Sequence, residues 1–183
     1  MAALPSSRSL ILACSATKRG GPKEIPAIDR YDGPPWRTLR AVDPNGGKAK
    51  VAFLSAHLGF RAANIPIEMY DARMTGQMAA AMKAGDLGTR WPRPKTQRRV
   101  MPSGEHPGMH ISYLCVGAEK RAFRNVALVG GHLYLDVMRH LVDLFRKGGY
   151  VAADALITEI NGPIGLMRQD LRHWLDRHEG ETR

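Results

Sequence analysis

Three short apolar runs constrain the fold more than any other feature: "SLILAC" (9–14), "KVAFLSA" (50–56) and "NVALVGG" (125–131). Each is a strand's length and apolar without strict alternation, the pattern of a strand covered on both faces. Segments with helical character separate or follow them. "PPWRTLRAV" (34–42) opens with prolines, which the first turn of a helix accepts. "MTGQMAAAMKAG" (74–85) joins strong helix formers to a closing glycine. After Gly131, the residues Tyr134, Val137, Met138, Leu141 and Phe145 recur at helical spacing and "RKGG" closes the pattern. From about Pro163 to Arg177, Ile164, Met167, Leu171, Trp174 and Leu175 form another apolar stripe, read as core packing. Strands alternating with helices predict one α/β domain over residues 1–183, with a mainly parallel central sheet flanked by helices. The Pro/Gly-rich stretch 88–110 is too long for an ordinary connection and is read as an inserted basic flap.

In such a sheet, ligands bind outside the carboxyl ends of the strands. All three runs end there in small or polar residues. Cys14, Ser15 and Lys18 follow the first, Ser55 and His57 close the second, and Gly130 and Gly131 close the third. A lysine just past a strand can hold a phosphate, or serve as an amine nucleophile or base when desolvated; a solvated Lys18 beside a small buried Cys14 is the equal alternative. The glycines before a helix would expose backbone N–H groups to an anion. Tyr31–Asp32 and Tyr70–Asp71 follow the first two strands. Both pairs suit turns, while a tyrosine there could stack on a base and Asp71 could act as general base or orienter.

The charge narrows the class of partner. A net +10, with pI near 10.1, favours a polyanion, against the plainer reading of a generally basic surface. Arg90, Arg93, Lys95, Arg98 and Arg99 cluster around Trp91 without an acid, a combination suited to phosphate contact and base stacking. The sequence therefore points to nucleic acid, DNA in preference to RNA, or to a nucleotide. Two cysteines, Cys14 and Cys115, are too few for a disulfide scaffold or a cysteine zinc site. A reduced, cytoplasmic protein without membrane contact is expected, since no run approaches a membrane span and no signal peptide is evident. Pro107 and Gly108 between His106 and His110 argue against a helix there, and no third ligand points to a metal. No Walker A, GxGxxG or GxSxG pattern is present, and no cofactor is implied.

"ACSATK", "RYDGPPWRTLR", "LSAHLGF" and "IPIEMYDARM" together resemble a family of small bacterial and phage domains loosely grouped with the peroxide-stress YaaA-like proteins. That family's layout is Cys-Ser-x-x-Lys, a Tyr-x-Gly segment, a Leu-Ser-Ala-x-x-Gly strand end and a Tyr-Asp before a helix. The Cys-x-x-x-Lys spacing is also similar to archaeosine synthase, whose motif carries a lysine acting on a 7-deazaguanine base. The resemblance implies a link to nucleic acids and their modified bases. The leading expectation is an enzyme acting on a base or N-glycosidic bond, with Lys18, Asp71 and Ser15 catalytic. Cys14, Tyr31, Ser55, Tyr70, Gly130 and Gly131 would bind substrate. A non-catalytic DNA-binding protein and a small-molecule nucleotide enzyme are the alternatives.

Overall fold

A computed structural model describes residues 7–91, 105–116 and 122–177. In chain order the elements are β1 (Arg8–Ala13), β2 (Ile25–Pro26), α1 (Ala27–Arg30), α2 (Pro34–Val42), β3 (Lys50–Ser55), β4 (Gly59–Ala62) and β5 (Pro66–Ile67). There follow α3 (Gly76–Lys83), α4 (Pro107–Leu114), β6 (Phe123–Val129), α5 (His132–Lys147), β7 (Val151–Ile160) and α6 (Ile164–Asp176). Five strands form one sheet in the order β4-β3-β1-β6-β7, parallel except for the β3–β4 pair. β2 and β5 make a separate antiparallel pair.

The three apolar runs are the three central strands, and their side chains divide by the two-residue period. Leu10, Leu12, Phe53, Ala127 and Val129 enter one core with Trp36, Leu39, Leu171 and Trp174. Ile11, Ala52, Leu54, Val126 and Leu128 enter the other with Ala79, Ile111, Leu135, Met138 and Phe145. Covering by helices on both faces explains why these strands carry continuous apolar runs rather than alternation. Complete burial of residues such as Leu10 and Leu12 contributes roughly 1.5–3 kcal/mol each.

β1 runs through α2 to β3 on one side, while β6 runs through α5 to β7 on the other. α2 packs on one face of the sheet and α5 on the opposite face. The carboxyl ends of β1 and β6 therefore flank a topological switch point, where the two outgoing connections diverge and leave a crevice.

Four segments depart from the sequence expectations. β7 is an edge strand with exposed Ala153, Asp154, Leu156 and Glu159, so it lacks the dense apolar signal of its neighbours. β4 follows directly on the second run, whose sequence pattern predicts a single strand. The β2–β5 pair is too short to carry a pattern. Residues 107–114 form a helix despite Pro107 and Gly108. Pro107 occupies the first turn, where a missing N–H costs nothing, and His106 sits at the N-cap with its Nδ1 3.2 Å from Met109 N and 2.7 Å from Leu87 O. The last residues of the expected flap thus belong to a helix packed on β4.

That helix also protects an edge of the sheet. Ala63 N–H points inward to Val51 O at 2.9 Å, so Ala62 N–H points away from the sheet, and His110 Nδ1 accepts it at 3.3 Å. This bond requires the neutral Nε2–H ring. Burial first, then the Arg61 charge and His106, hold His110 down at about 4 from the ordinary 6.5. Between those two values the unfolded chain takes up a proton that the folded chain refuses, so stability is lost as pH falls through this window. Urea titrations at pH 7 and 4.5 should show the native chain losing about 2 kcal/mol more than His110→Gln over the interval, a shift of ~2 pH units discounted for residual solvation. Equal losses in the two proteins would remove His110 from the account.

Candidate functional site

The chain leaving β1 is guided back onto α1 and Tyr31. Cys14 N–H extends the ladder to Leu54 O at 2.9 Å. The Ser15 hydroxyl packs against Gly33, where a methyl group would come within 2.5 Å of it. Asp32 N–H then donates to Thr17 O at 2.9 Å, Arg19 N–H donates to Arg30 O at 2.7 Å, and Lys18 forms a bridge with Tyr31. The loop beyond Lys18 is tied down by Arg30, whose side chain has no solvent exposure. Its guanidinium donates to Arg19 O (2.9 Å), Pro22 O (2.7 Å), Lys23 O (3.0 Å) and Ile67 O (3.4 Å).

Lys18 ends over an aromatic corner. Its Nζ lies 4.3 Å from the centroid of Tyr70 and 5.8 Å from that of Tyr31. Among the described residues it has no ion-pair partner. Burial lowers its pKa from the ordinary lysine value, while Cys14 and Asp71 oppose that shift. The two tyrosines meet at right angles, hydroxyl to hydroxyl, and Tyr70 also bonds Ser55 Oγ at 2.8 Å. Ser55 Oγ accepts N–H groups from His57 (3.0 Å) and Leu58 (3.1 Å), which fills both its lone pairs. Its single hydrogen is therefore directed to Tyr70. Burial raises both phenols far above their ordinary value, so they act as neutral hydroxyls.

The His57 ring stacks on Tyr70 with centroids 4.8 Å apart. Tyr70 thus meets both the Lys18 ammonium and the His57 ring. Tyr31 is fully buried. Its ring is enclosed, and Tyr31 reaches the corner through its hydroxyl on Tyr70. His57, exposed at the rim, has its pKa lowered by burial, then by Arg61 and Lys18.

On the other side of the crevice, Tyr134 in the first turn of α5 lies 3.3 Å from Cys14 Sγ through its hydroxyl. Gly130 serves packing: a Cβ there would meet the Ala13 Cβ at 2.8 Å. Gly131, by contrast, opens to free space and starts α5 without a side-chain cap. Cys14, Lys18, Ser55, Gly130 and Gly131 thus share the carboxyl edge. Asp71 is exposed, and its charge favours the Lys18 ammonium. Asp32 is turned to α2 instead, paired with Arg37 (3.1 Å) and Arg40 (2.5 Å).

Of the basic run, Arg90 is exposed, whereas the Trp91 indole packs against the body and donates to Ala56 O at 3.0 Å. Arg93, Lys95, Arg98 and Arg99 lie outside the described residues. Sequence reasoning passed over Arg30 and Arg61, because buried guanidinium groups look like solvated ones in a sequence. It read Tyr134 as part of a helical stripe, although its place three residues after Gly131 was a usable signal. Among the described residues, no group of three or more His, Cys, Asp or Glu side chains is placed to hold a metal, and no helix is long and apolar enough to cross a membrane. The chain matches no known family model, no curated protein and no solved structure.

Proposed function

We propose that this chain is an enzyme acting on a base or N-glycosidic bond of a nucleic acid or nucleotide. The observation that carries the reading is Lys18, an amine partly withdrawn from water over Tyr70, without an ion-pair partner among the described residues, at a switch-point crevice. Desolvation enlarges the fraction of neutral amine available near neutral pH, which suits a nucleophile or base. Asp71 stands nearby as base or orienter, and Ser15 and Cys14 line the same loop. The uncapped start of α5 at Gly131 suits a phosphate on the facing wall. DNA is the preferred substrate, since a net +10 suits a long polyanion. The surroundings are taken to be cytoplasmic.

Treating DNA, RNA and a nucleotide mixture with the protein, then digesting to nucleosides and weighing them, tests this reading. A base of changed mass, or a released free base, is the expected result. The same charge also favours a second reading, a DNA-binding protein without catalysis. Both readings require phosphate contact, so filter-binding affinity should fall about 10³-fold between roughly 50 and 200 mM salt, the loss expected for about six neutralised phosphates. Affinity indifferent to salt would remove the polyanion from both readings. Salt-sensitive binding with every nucleoside mass unchanged would leave the binder.

A further inference from the structure

We propose that Trp91 is a positioning residue for Lys18, an inference that rests on the reading of Lys18 as the reacting amine. The turn between β3 and β4 carries Ser55 at its start and His57 at its tip. Its N–H groups at 57 and 58 are held by Ser55 Oγ, and its carbonyl at Ala56 is held by the Trp91 indole at 3.0 Å. Trp91 also lies flush against Gly59, which has φ +72; a Cβ there would meet the Trp91 Cβ at 2.9 Å. The space under the indole is lined by Leu54, Phe60, Met82, Val137 and Leu141, side chains of the sheet and of α3 and α5. Trp91 therefore clamps the turn from outside while Ser55 clamps it from within.

What the turn fixes is the aromatic corner under Lys18. Ser55 directs its hydrogen to the Tyr70 hydroxyl, and the His57 ring stacks on that of Tyr70. The Lys18 ammonium lies 4.3 Å from the centroid of the same ring. Contacts run without a gap from Trp91 through Ala56, Ser55 and Tyr70 to Lys18. Releasing the Ala56 carbonyl frees the turn, loosens Tyr70 and readmits water to the amine. The readable consequence is a Lys18 amine that behaves more like an exposed lysine.

Reductive methylation with formaldehyde and cyanoborohydride, followed residue by residue by peptide mass against pH, reads this directly in the full chain. Lys23, exposed and paired only at the surface with Glu68, is the internal reference. In the native chain Lys18 should reach half-maximal labelling at lower pH than the same residue in the urea-unfolded chain. In Trp91→Ala its profile should move to higher pH, so that labelling of Lys18 at a fixed pH near 8 falls severalfold from that of the native chain. Added indole should restore the native profile by refilling the vacated space. Trp91→Phe keeps the ring and loses the N–H, so it should shift part of the way, and it carries the test if Trp91→Ala does not fold.

An unchanged Lys18 profile in folded variants of lowered melting temperature would make Trp91 merely structural and overturn the proposal. The labelling needs no substrate. A native chain without base-directed turnover would therefore fail the functional reading separately, leaving the positioning result to stand or fall by Lys18 alone.

Discussion

Lys18→Ala should lower base-directed turnover by about 10³-fold while changing nucleic-acid affinity less than about threefold. A group that bonds to, or takes a proton from, the reacting centre acts in the transition state, and its loss falls on kcat. One phosphate contact among many contributes only a part of a salt-dependent total. Lys18→Arg separates the two roles open to the amine. Arginine keeps a positive charge for a phosphate but stays protonated at any pH the protein tolerates, so it cannot supply a neutral amine. Activity retained in Lys18→Arg would make Lys18 an anchor, and activity lost in both variants would make it the nucleophile or base. The measurement is a nucleoside digest analysed by mass, paired with filter binding of each variant. Parallel loss of affinity and turnover in Lys18→Ala would sink the assignment.

Arg30→Met should cost about 3 kcal/mol of stability and lower Tm by about 8 °C, the largest loss expected from any single polar side chain described above. The guanidinium is wholly buried and carries four backbone carbonyls from two separated stretches of chain, the loop 19–23 and Ile67. Methionine replaces much of the volume and none of the donors. The carbonyls of Arg19, Pro22 and Lys23 would have to find water, which opens the loop immediately after Lys18. Arg30→Lys should recover little, because a single ammonium cannot span acceptors arranged for a planar fork. Urea unfolding gives the free energy, and limited proteolysis should cut between residues 19 and 23 in the variant before the native chain is cut anywhere in β1. A variant as stable as the native chain would show that water reaches these carbonyls at no cost.

The central strands were legible because helices cover both of their faces, so nearly every residue from Ser9 to Leu12 is apolar or buried. Strand ends are where polar residues can return, which is why Cys14, Lys18, Ser55 and Gly130 could be placed on one edge from the sequence. β7 was not legible, since an edge strand has one open side and tolerates Asp154 and Glu159. α4 was missed because its cap is a histidine and its Pro-Gly start reads locally as a turn. The meeting of Tyr31 with Tyr70 depends on the two-residue pairing of β2 with β5, a contact no local pattern announces. Arg61, buried on β4 and paired with Glu105 at 2.6 Å, was hidden for the reason Arg30 was: a charge in a sequence carries no mark of its depth.

The place of β1 at the middle of the sheet also sets an order of events during synthesis. It precedes the other described strands of its sheet in the chain, and Leu10 and Leu12 must be enclosed from both sides. β3 reaches it early, in register from Ser9 opposite Lys50, and β4 closes over β3 as a local hairpin. The partner on its other side is β6, which sets Asn125 against Arg8 and Val129 against Leu12. Until those residues emerge, a nascent chain holding β1, β3 and β4 presents β1 as a bare edge, apolar on both faces, able to pair with any strand nearby. Closing so long a loop before gaining its contacts also slows folding relative to a chain whose central strands are neighbours in sequence. The arrangement that sets the ends of β1 and β6 side by side at the crevice therefore delays completion of the sheet until β6 and β7 have been made.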